Sequence, residues 1–468
     1  MSALTLTLYK PLTHGGRARV HTLNMKTKIM LFASLLLLPV APVRACGATP
    51  ELLSTLAVSE NSQTASNAAG QLRRLGREGF DALLKTHAPL LARHGDADPQ
   101  WLRLRAALDV VSGQKDCHAS RLFWHTNIAD AKAEAQQTGK PILSLRLLGH
   151  LDEELSCANS RFFRTTLYAN AEVSAYLREH YVLHWKSVRP VPRITIDMGD
   201  GRKIERTITG NSIHYVLDAN GDVVDALPGL YGPRAFLTGL KSAEPVAQQA
   251  AKMDSSARAR LLENYHTTGL AGLTQRWGND LAQVGVAQTA SVALKASPEA
   301  MQRTVTKTVV ERPMMNSFAP RRAALERSMD DELWTKIAAL HRDDATLDPG
   351  SIALIRAKTR PADEAMRLAF AKSRVEDPML KTVQNLQRSI AEDTVRNEYL
   401  FHAKIHEWLA APGATREVDA LNRRVYAELF LTPDTDPWLG LAPSDTFSAL
   451  EGNGLKLTAD RAMVPGQR

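Results

Sequence analysis

Between residues 119 and 243 the hydrophobic pattern switches repeatedly between short apolar runs and helical periodicity, and this constrains the fold more than any other feature. Ser120-Arg-Leu-Phe-Trp-His125 reads as a short strand. Asn127 to Lys140 reads as a helix, with Asn127 as N-cap and Gly139 as its stop. Pro141 then opens Ile142-Leu-Ser-Leu-Arg-Leu-Leu148, a run long enough for a strand, too short for most helices, and apolar enough to be covered on both faces. An acidic loop, Cys157, a helical stretch through Leu177 and the strand Tyr181-Val-Leu-His-Trp-Lys-Ser-Val188 follow. Asp200-Gly201 and Asn220-Gly221 are hairpin turn signals, each between two apolar runs, and Pro233 opens a closing helix. Strands alternating with helices predict an α/β unit with a mixed central sheet and flanking helices over 119–243.

The flanks read differently. From about 50 to 116, Leu72, Leu75, Phe80, Leu83, Leu84, Leu90 and Leu91 fall at helical spacings, with Gly76 and Gly79 as breaks, and a second amphipathic run ends at Gly113. Residues 46–118 are therefore expected to form a helical N-terminal segment. Beyond residue 244 no strand pattern is present, and 244–468 reads as a large all-α C-terminal region broken by proline turns. Lys307-Thr-Val-Val-Glu-Arg-Pro-Met314 is echoed by Lys372-Ser-Arg-Val-Glu-Asp-Pro-Met379, either a mark of two related helical units or a coincidence. In the tail, Tyr426, Phe430, Trp438 and Phe447 are expected to anchor the chain to the body.

The first 45 residues carry a leader signature. Met25 is the expected start, Lys26 and Lys28 form a basic segment, Ile29 to Val40 an apolar one, and Val43-Arg44-Ala45 a cleavage signal. The apolar segment falls short of the roughly 20 residues that span a bilayer. Export to the periplasm or envelope is the expectation. Cys46 follows the predicted cut and is either the lipidated first residue of a lipoprotein or an ordinary terminal cysteine; a lipid there is the only expected membrane attachment. Six of the 58 basic residues and none of the 50 acidic ones lie in residues 1–45, which leaves 52 against 50. The high isoelectric point thus belongs to the leader, and no basic tract remains to bind nucleic acid.

The stretch from Trp124 to about Leu240 resembles thioredoxin-like domains, above all the subgroup in the carboxyl-terminal part of periplasmic disulfide-interchange proteins. The carrying features are Ala131 and Ala135 on the first helix, Gly139-Lys140-Pro141 with the apolar strand to Leu148, and Cys157 opening a helix. Tyr168-Ala-Asn-Ala-Glu-Val173, the Tyr181-Val-Leu183 strand and the final hairpin before Gly229 complete the set. The resemblance implies chemistry at a Cys-x-x-Cys pair at a helix start, where the helix end favours the thiolate and a second thiol resolves the mixed disulfide. Here the four residues are Cys157-Ala158-Asn159-Ser160, so Cys157 is the candidate catalytic thiol and Ser160 its candidate hydrogen-bond partner. The family's cis-proline position falls on Ser212, which with Asn211 forms the candidate binding groove. Asp152, Glu153 and Glu154 oppose an activated thiol, and Arg161 and Arg164 offset them. Cys117 lies before the first strand, at the far end from Cys157, and bridges it only if the intervening loop folds back.

Outside this region, Glu398, His402 and His406 share one helix face at four-residue spacing, a candidate metal set as well as an ordinary ion-paired face. His150, His184 and His214 are expected as packed or surface residues. No phosphate loop, dinucleotide fingerprint or nucleophile elbow occurs, and no cofactor is implied. Two function classes follow: a non-catalytic binding or scaffold module with a protein partner in the envelope, or a monothiol oxidoreductase or redox sensor that uses Cys157 on a protein thiol or disulfide.

Overall fold

The computed structural model describes residues 48–92, 98–207, 210–286, 332–359 and 378–439. The leader with Met25 and Cys46, Phe447, and nearly all of the echo at Lys307 and Lys372 lie outside the described residues.

The N-terminal helices start and stop where side chains satisfy their free backbone groups. Thr49 accepts from Leu52 N at the start of α1 (Pro50–Leu56), and Asn61 from Thr64 N at the start of α2 (Ser62–Arg74). Gly76, at φ +68°, separates α2 from α3 (Arg77–Thr86). Gly79 does not break the pattern as expected; it lies inside α3, where a Cβ would sit 2.2 Å from the Leu72 carbonyl oxygen, so it lets two helices touch. After α4 (Ala88–Ala92), α5 (Pro99–Ser112) begins on Asp98 and Pro99 and ends on Gly113 in the left-handed region. Together with the short α6 (Cys117–Ser120) these helices bury Leu72, Phe80, Leu83, Trp101 and Leu108 in a core of their own, which ends at Phe123.

A second core draws its described residues from Leu122 to Leu439. It is built on a four-stranded sheet of order β2-β1-β5-β6. Strand β1 (Ile142–Leu148) is buried at every position, as its apolar run requires. It follows α7 (Ile128–Thr138), pairs in parallel with β2 (Val182–Arg189) and antiparallel with β5 (Ser212–Leu217). Strand β6 (Val223–Pro228) returns antiparallel to β5 across the Asn220-Gly221 turn, where Gly221 takes φ +91°. The Asp200-Gly201 signal joins β3 (Arg193–Asp197) to β4 (Lys203–Thr207) in a separate, largely exposed hairpin. The expected strand over Ser120–His125 does not form: only His125 bridges to β2, at His184. Its apolar residues are divided instead, Phe123 facing the helical core and Leu122 and Trp124 facing the sheet, so neither side completes a ladder.

The helical stretch after Cys157 is also subdivided, into α8 (Ala158–Phe162), a π-turn over Phe163–Leu167, and α9 (Ala171–His180), which Asn170 caps. The C-terminal region contributes α10 (Pro233–Ala250), α11 (Ser255–Gln283), a helix over 332–340, α12 (Pro349–Thr359) and α13 (Pro378–Arg396). A π-helical segment, Asn397–His402, leads from α13 straight into α14 (Ala403–Ala410). Helix α15 (Val418–Arg424) and a last π-turn, Val425–Leu429, follow. No strand occurs after residue 244 among the described residues, as expected, and no described helix is long and apolar enough to cross a membrane. The expected boundary at residue 244 falls inside α10, and these helices share the core of the sheet, so it marks neither a change of secondary structure nor a gap in packing.

Candidate functional site

Two polar sites lie against the sheet. The first is Cys157, the residue immediately before α8, in the loop that leaves β1. Its backbone N–H donates to the Leu148 carbonyl and its Sγ lies 3.0 Å from Ser212 Oγ at the start of β5. The structure thus brings together the thiol and the serine that the sequence singled out. Ser160 is not the thiol's partner: its hydroxyl donates to the Cys157 carbonyl at 2.9 Å, closing the first turn of α8. Asp152, Glu153 and Glu154 point to solvent, while the buried Arg164 donates to the Glu153 and Glu154 carbonyl oxygens.

Cys157 and Ser212 are both 0% exposed. Their neighbours are held by residues far down the chain. Tyr426 OH donates to the Asn211 carbonyl at 2.8 Å, and the Asn211 amide donates to Thr432 Oγ1 at 2.9 Å. Tyr215 OH donates to Asn422 Oδ1, and Arg189 Nη2 donates to the Thr432 carbonyl at 2.6 Å. Asn211, next to Ser212, is therefore bonded to Tyr426 and Thr432 of the same chain, and the buried Tyr426 and Phe430 are anchoring residues as expected. Burial, then the adjacent Cys157, raises the Tyr168 and Tyr426 phenols well above their ordinary value. Cys117 is also a free buried thiol; it belongs to the N-terminal helical core, donates to the Leu122 carbonyl, and is pushed by burial up to about 12. The two described cysteines are not bridged. Of the three sheet-region histidines, His150 is exposed, while His184 and His214 are core residues held neutral by burial, each pushed down to about 3.

The second site is a cavity of about 590 Å³ between α10, α11 and the segment 394–406. Asp225 reaches it from β6, where it is a lone carboxylate among buried apolar residues. Tyr265 OH donates to Asp225 Oδ2 at 2.6 Å, and the Ala226 N–H to Oδ1 at 2.8 Å. His402 lies between two carboxylates, with Nε2 3.1 Å from Asp225 Oδ1 and Nδ1 3.0 Å from Glu398 Oε2. Arg276 donates to the other oxygen of Glu398 at 2.9 Å. The His406 ring lies tilted by 32° and 4.3 Å from that of His402 by centroids, and its Nδ1 is 2.9 Å from Nδ1 of His266. His341 and Tyr399, which also line the cavity, both bond Asp280 Oδ2.

Charge organises this site. Burial alone would lower His402, but the Asp225 and Glu398 carboxylates raise it to about 10. Burial alone would raise those acids; the His402 charge holds Asp225 far below the usual carboxylate range and Glu398 at about 2. Burial takes His266 down to about 3, and burial with the neighbouring His402 takes His406 to about 4. Of the expected metal set, His402 and His406 converge, while Glu398 approaches His402 from behind. Asp225 takes its place: donor atoms of Asp225, His402 and His406 all lie within 4.8 Å of one another. Helical spacing found the two histidines, and could not find Asp225, His266 or Tyr265, which arrive from other elements. The one available signal was an acid in the middle of Val223-Val-Asp-Ala-Leu-Pro228, a strand buried at every position. Comparison with protein-family models, with curated proteins and with solved structures found no match to this chain.

Proposed function

We propose that the chain is an exported envelope protein whose thioredoxin-like domain is a non-catalytic binding and scaffold module. Support for the thioredoxin-like reading is topological. A central strand flanked by one parallel and one antiparallel neighbour, with an edge strand beyond, leads into a helix headed by Cys157. Ser212 stands beside that thiol where the family carries its proline.

The observation that carries the non-catalytic reading is the burial of Cys157 behind the chain's own residues. Disulfide exchange needs a thiolate that a substrate sulfur can approach in line, and then a second thiol or an external one to resolve the product. Cys157 is fully buried, Asn211 beside its partner Ser212 is bonded to Tyr426 and Thr432, and Cys117 sits in a different core. The domain instead offers surfaces. Hairpin β3–β4 holds Ile196, Met198 and Ile204 in solvent, clear of both cores, as an apolar edge for a protein partner.

Thiol labelling tests this. In the native protein at mildly alkaline pH, Cys157 is expected to react with an aromatic disulfide reagent at least about 100-fold more slowly than in urea, because access requires the local opening that burial makes rare. Labelling of Cys157 in the folded protein at the rate of a free thiol would refute the scaffold reading and favour the monothiol oxidoreductase.

A further inference from the structure

We propose that Asp225, His402 and His406 bind a divalent transition-metal ion of the zinc class at the inner wall of the cavity, with Glu398 orienting His402 from behind. The site is distinct from Cys157 and independent of the scaffold reading.

Three observations lead to it. The donors come from β6, the π-helical segment and α14, yet converge within 4.8 Å in a buried position. Zinc takes nitrogen and oxygen ligands at about 2.0–2.1 Å, so neighbouring ligand atoms of a tetrahedron lie roughly 3.3 Å apart. His402 Nε2 and Asp225 Oδ1 are 3.1 Å apart. Next, Glu398 occupies Nδ1 of His402, which leaves Nε2 for the ion; a carboxylate behind a histidine ligand is the usual device for fixing its tautomer and strengthening it.

The backbone is also shaped for the cluster. The π-helical segment Asn397–His402 interrupts an otherwise α-helical run at the first histidine, the one whose Nε2 meets Asp225 of β6. On the facing helix, Gly269 leaves room for the second: a Cβ there would lie 2.7–3.1 Å from the His406 ring atoms. Three protein ligands on a cavity wall leave a fourth position for water or a small oxygen ligand, the arrangement of reactive rather than purely structural zinc. The ion would displace the proton that Asp225 and Glu398 otherwise hold on His402.

The test is metal uptake by the full-length protein, stripped with chelator, then titrated with cobalt(II) and, separately, zinc. Stoichiometric uptake that survives gel filtration and the visible absorption of tetrahedral cobalt are expected. His406→Gln and Asp225→Asn should each weaken binding by more than the roughly 10–100-fold expected of Glu398→Gln, which alters only the outer support. His341→Ala, at a lining residue bonded to Asp280 and Asp344 rather than to the donor cluster, should leave uptake unchanged. Should Asp225→Asn fail to fold, His406→Gln with the cobalt spectrum decides alone. Sub-stoichiometric uptake without visible bands, or binding unaltered in His406→Gln, would overturn the proposal and leave His402 as a proton clamp between two carboxylates.

Discussion

Replacing His214 with phenylalanine should flatten the acid sensitivity of this protein by a calculable amount. The ring is 1% exposed, lies 4.6 Å from Phe163 and 4.9 Å from Phe236 by centroids, and has one partner, the Tyr168 hydroxyl at 2.7 Å from Nε2. Its Nδ1 is buried without a partner. Burial therefore opposes its protonation and pushes it from 6.5 down to about 3. An unfolded chain takes up that proton as pH falls below about 6.5, and the folded chain does not. The contribution is thus fully present above 6.5 and is lost as pH falls towards 3, at about 1.4 kcal/mol per pH unit. By pH 4.5 the loss amounts to about 2.7 kcal/mol. Phenylalanine fits the aromatic surroundings but leaves the Tyr168 hydroxyl unpartnered, a constant cost of about 1–3 kcal/mol. That cost does not vary with pH in this range, because Tyr168 titrates far above it. Urea unfolding followed by tryptophan fluorescence at pH 7 and at pH 4.5 isolates the difference. Between those conditions the variant should lose about 2.7 kcal/mol less than the parent, while His184, likewise held near 3, contributes equally to both. Equal losses in parent and variant would refute the claim that His214 is neutral because it is buried.

Two further substitutions probe the packing that closes the molecule. Arg146, with its side chain 2% exposed in the central strand, is held by Ser144 at 2.6 Å and by Asp419 of α15 at 3.1 Å, so Asp419→Ala should cost about 2–3 kcal/mol in urea unfolding, less than a fully buried pair because Asp419 is 40% exposed. Lys186→Ala, which removes the exposed partner of the same carboxylate, should change stability by less than about 1 kcal/mol. Gly79→Ala should lower the melting temperature despite the better helix propensity of alanine, because the added methyl would meet the Leu72 carbonyl at 2.2 Å; a stabilised variant would mean that α2 and α3 do not touch there.

Much of the sheet was legible because its signals are local. The apolar run Ile142–Leu148 reads as a doubly covered strand, and Asn220-Gly221 and Asp200-Gly201 each mark a hairpin that forms. The pairing of Cys157 with Ser212 followed from strand register. What escaped depends on contacts between distant parts of the chain. Ser120–His125 has the composition of a strand, but two cores compete for its side chains and only His125 makes a bridge. Ser160 reads as the thiol's partner, yet its hydroxyl takes the backbone carbonyl one turn back as acceptor. The cluster around His402 was half visible, since helical spacing relates His402 to His406 and Glu398 but says nothing of a strand residue 177 positions away. That Asn211 is covered from within the chain has no local signal either, as its cover lies 215 residues downstream.

That last separation sets an order of assembly. A chain emerging from its amino terminus completes β1, β2, β5 and β6 long before Tyr426 and Thr432 exist, so Arg189 and Asn211 wait in water for partners made near the end. Closing so long a loop is entropically slow, and the unfinished surface is open to aggregation and to helper proteins until it closes. A fragment stopping near residue 415 would keep that surface open permanently, with Arg146 deprived of its counter-ion beneath it.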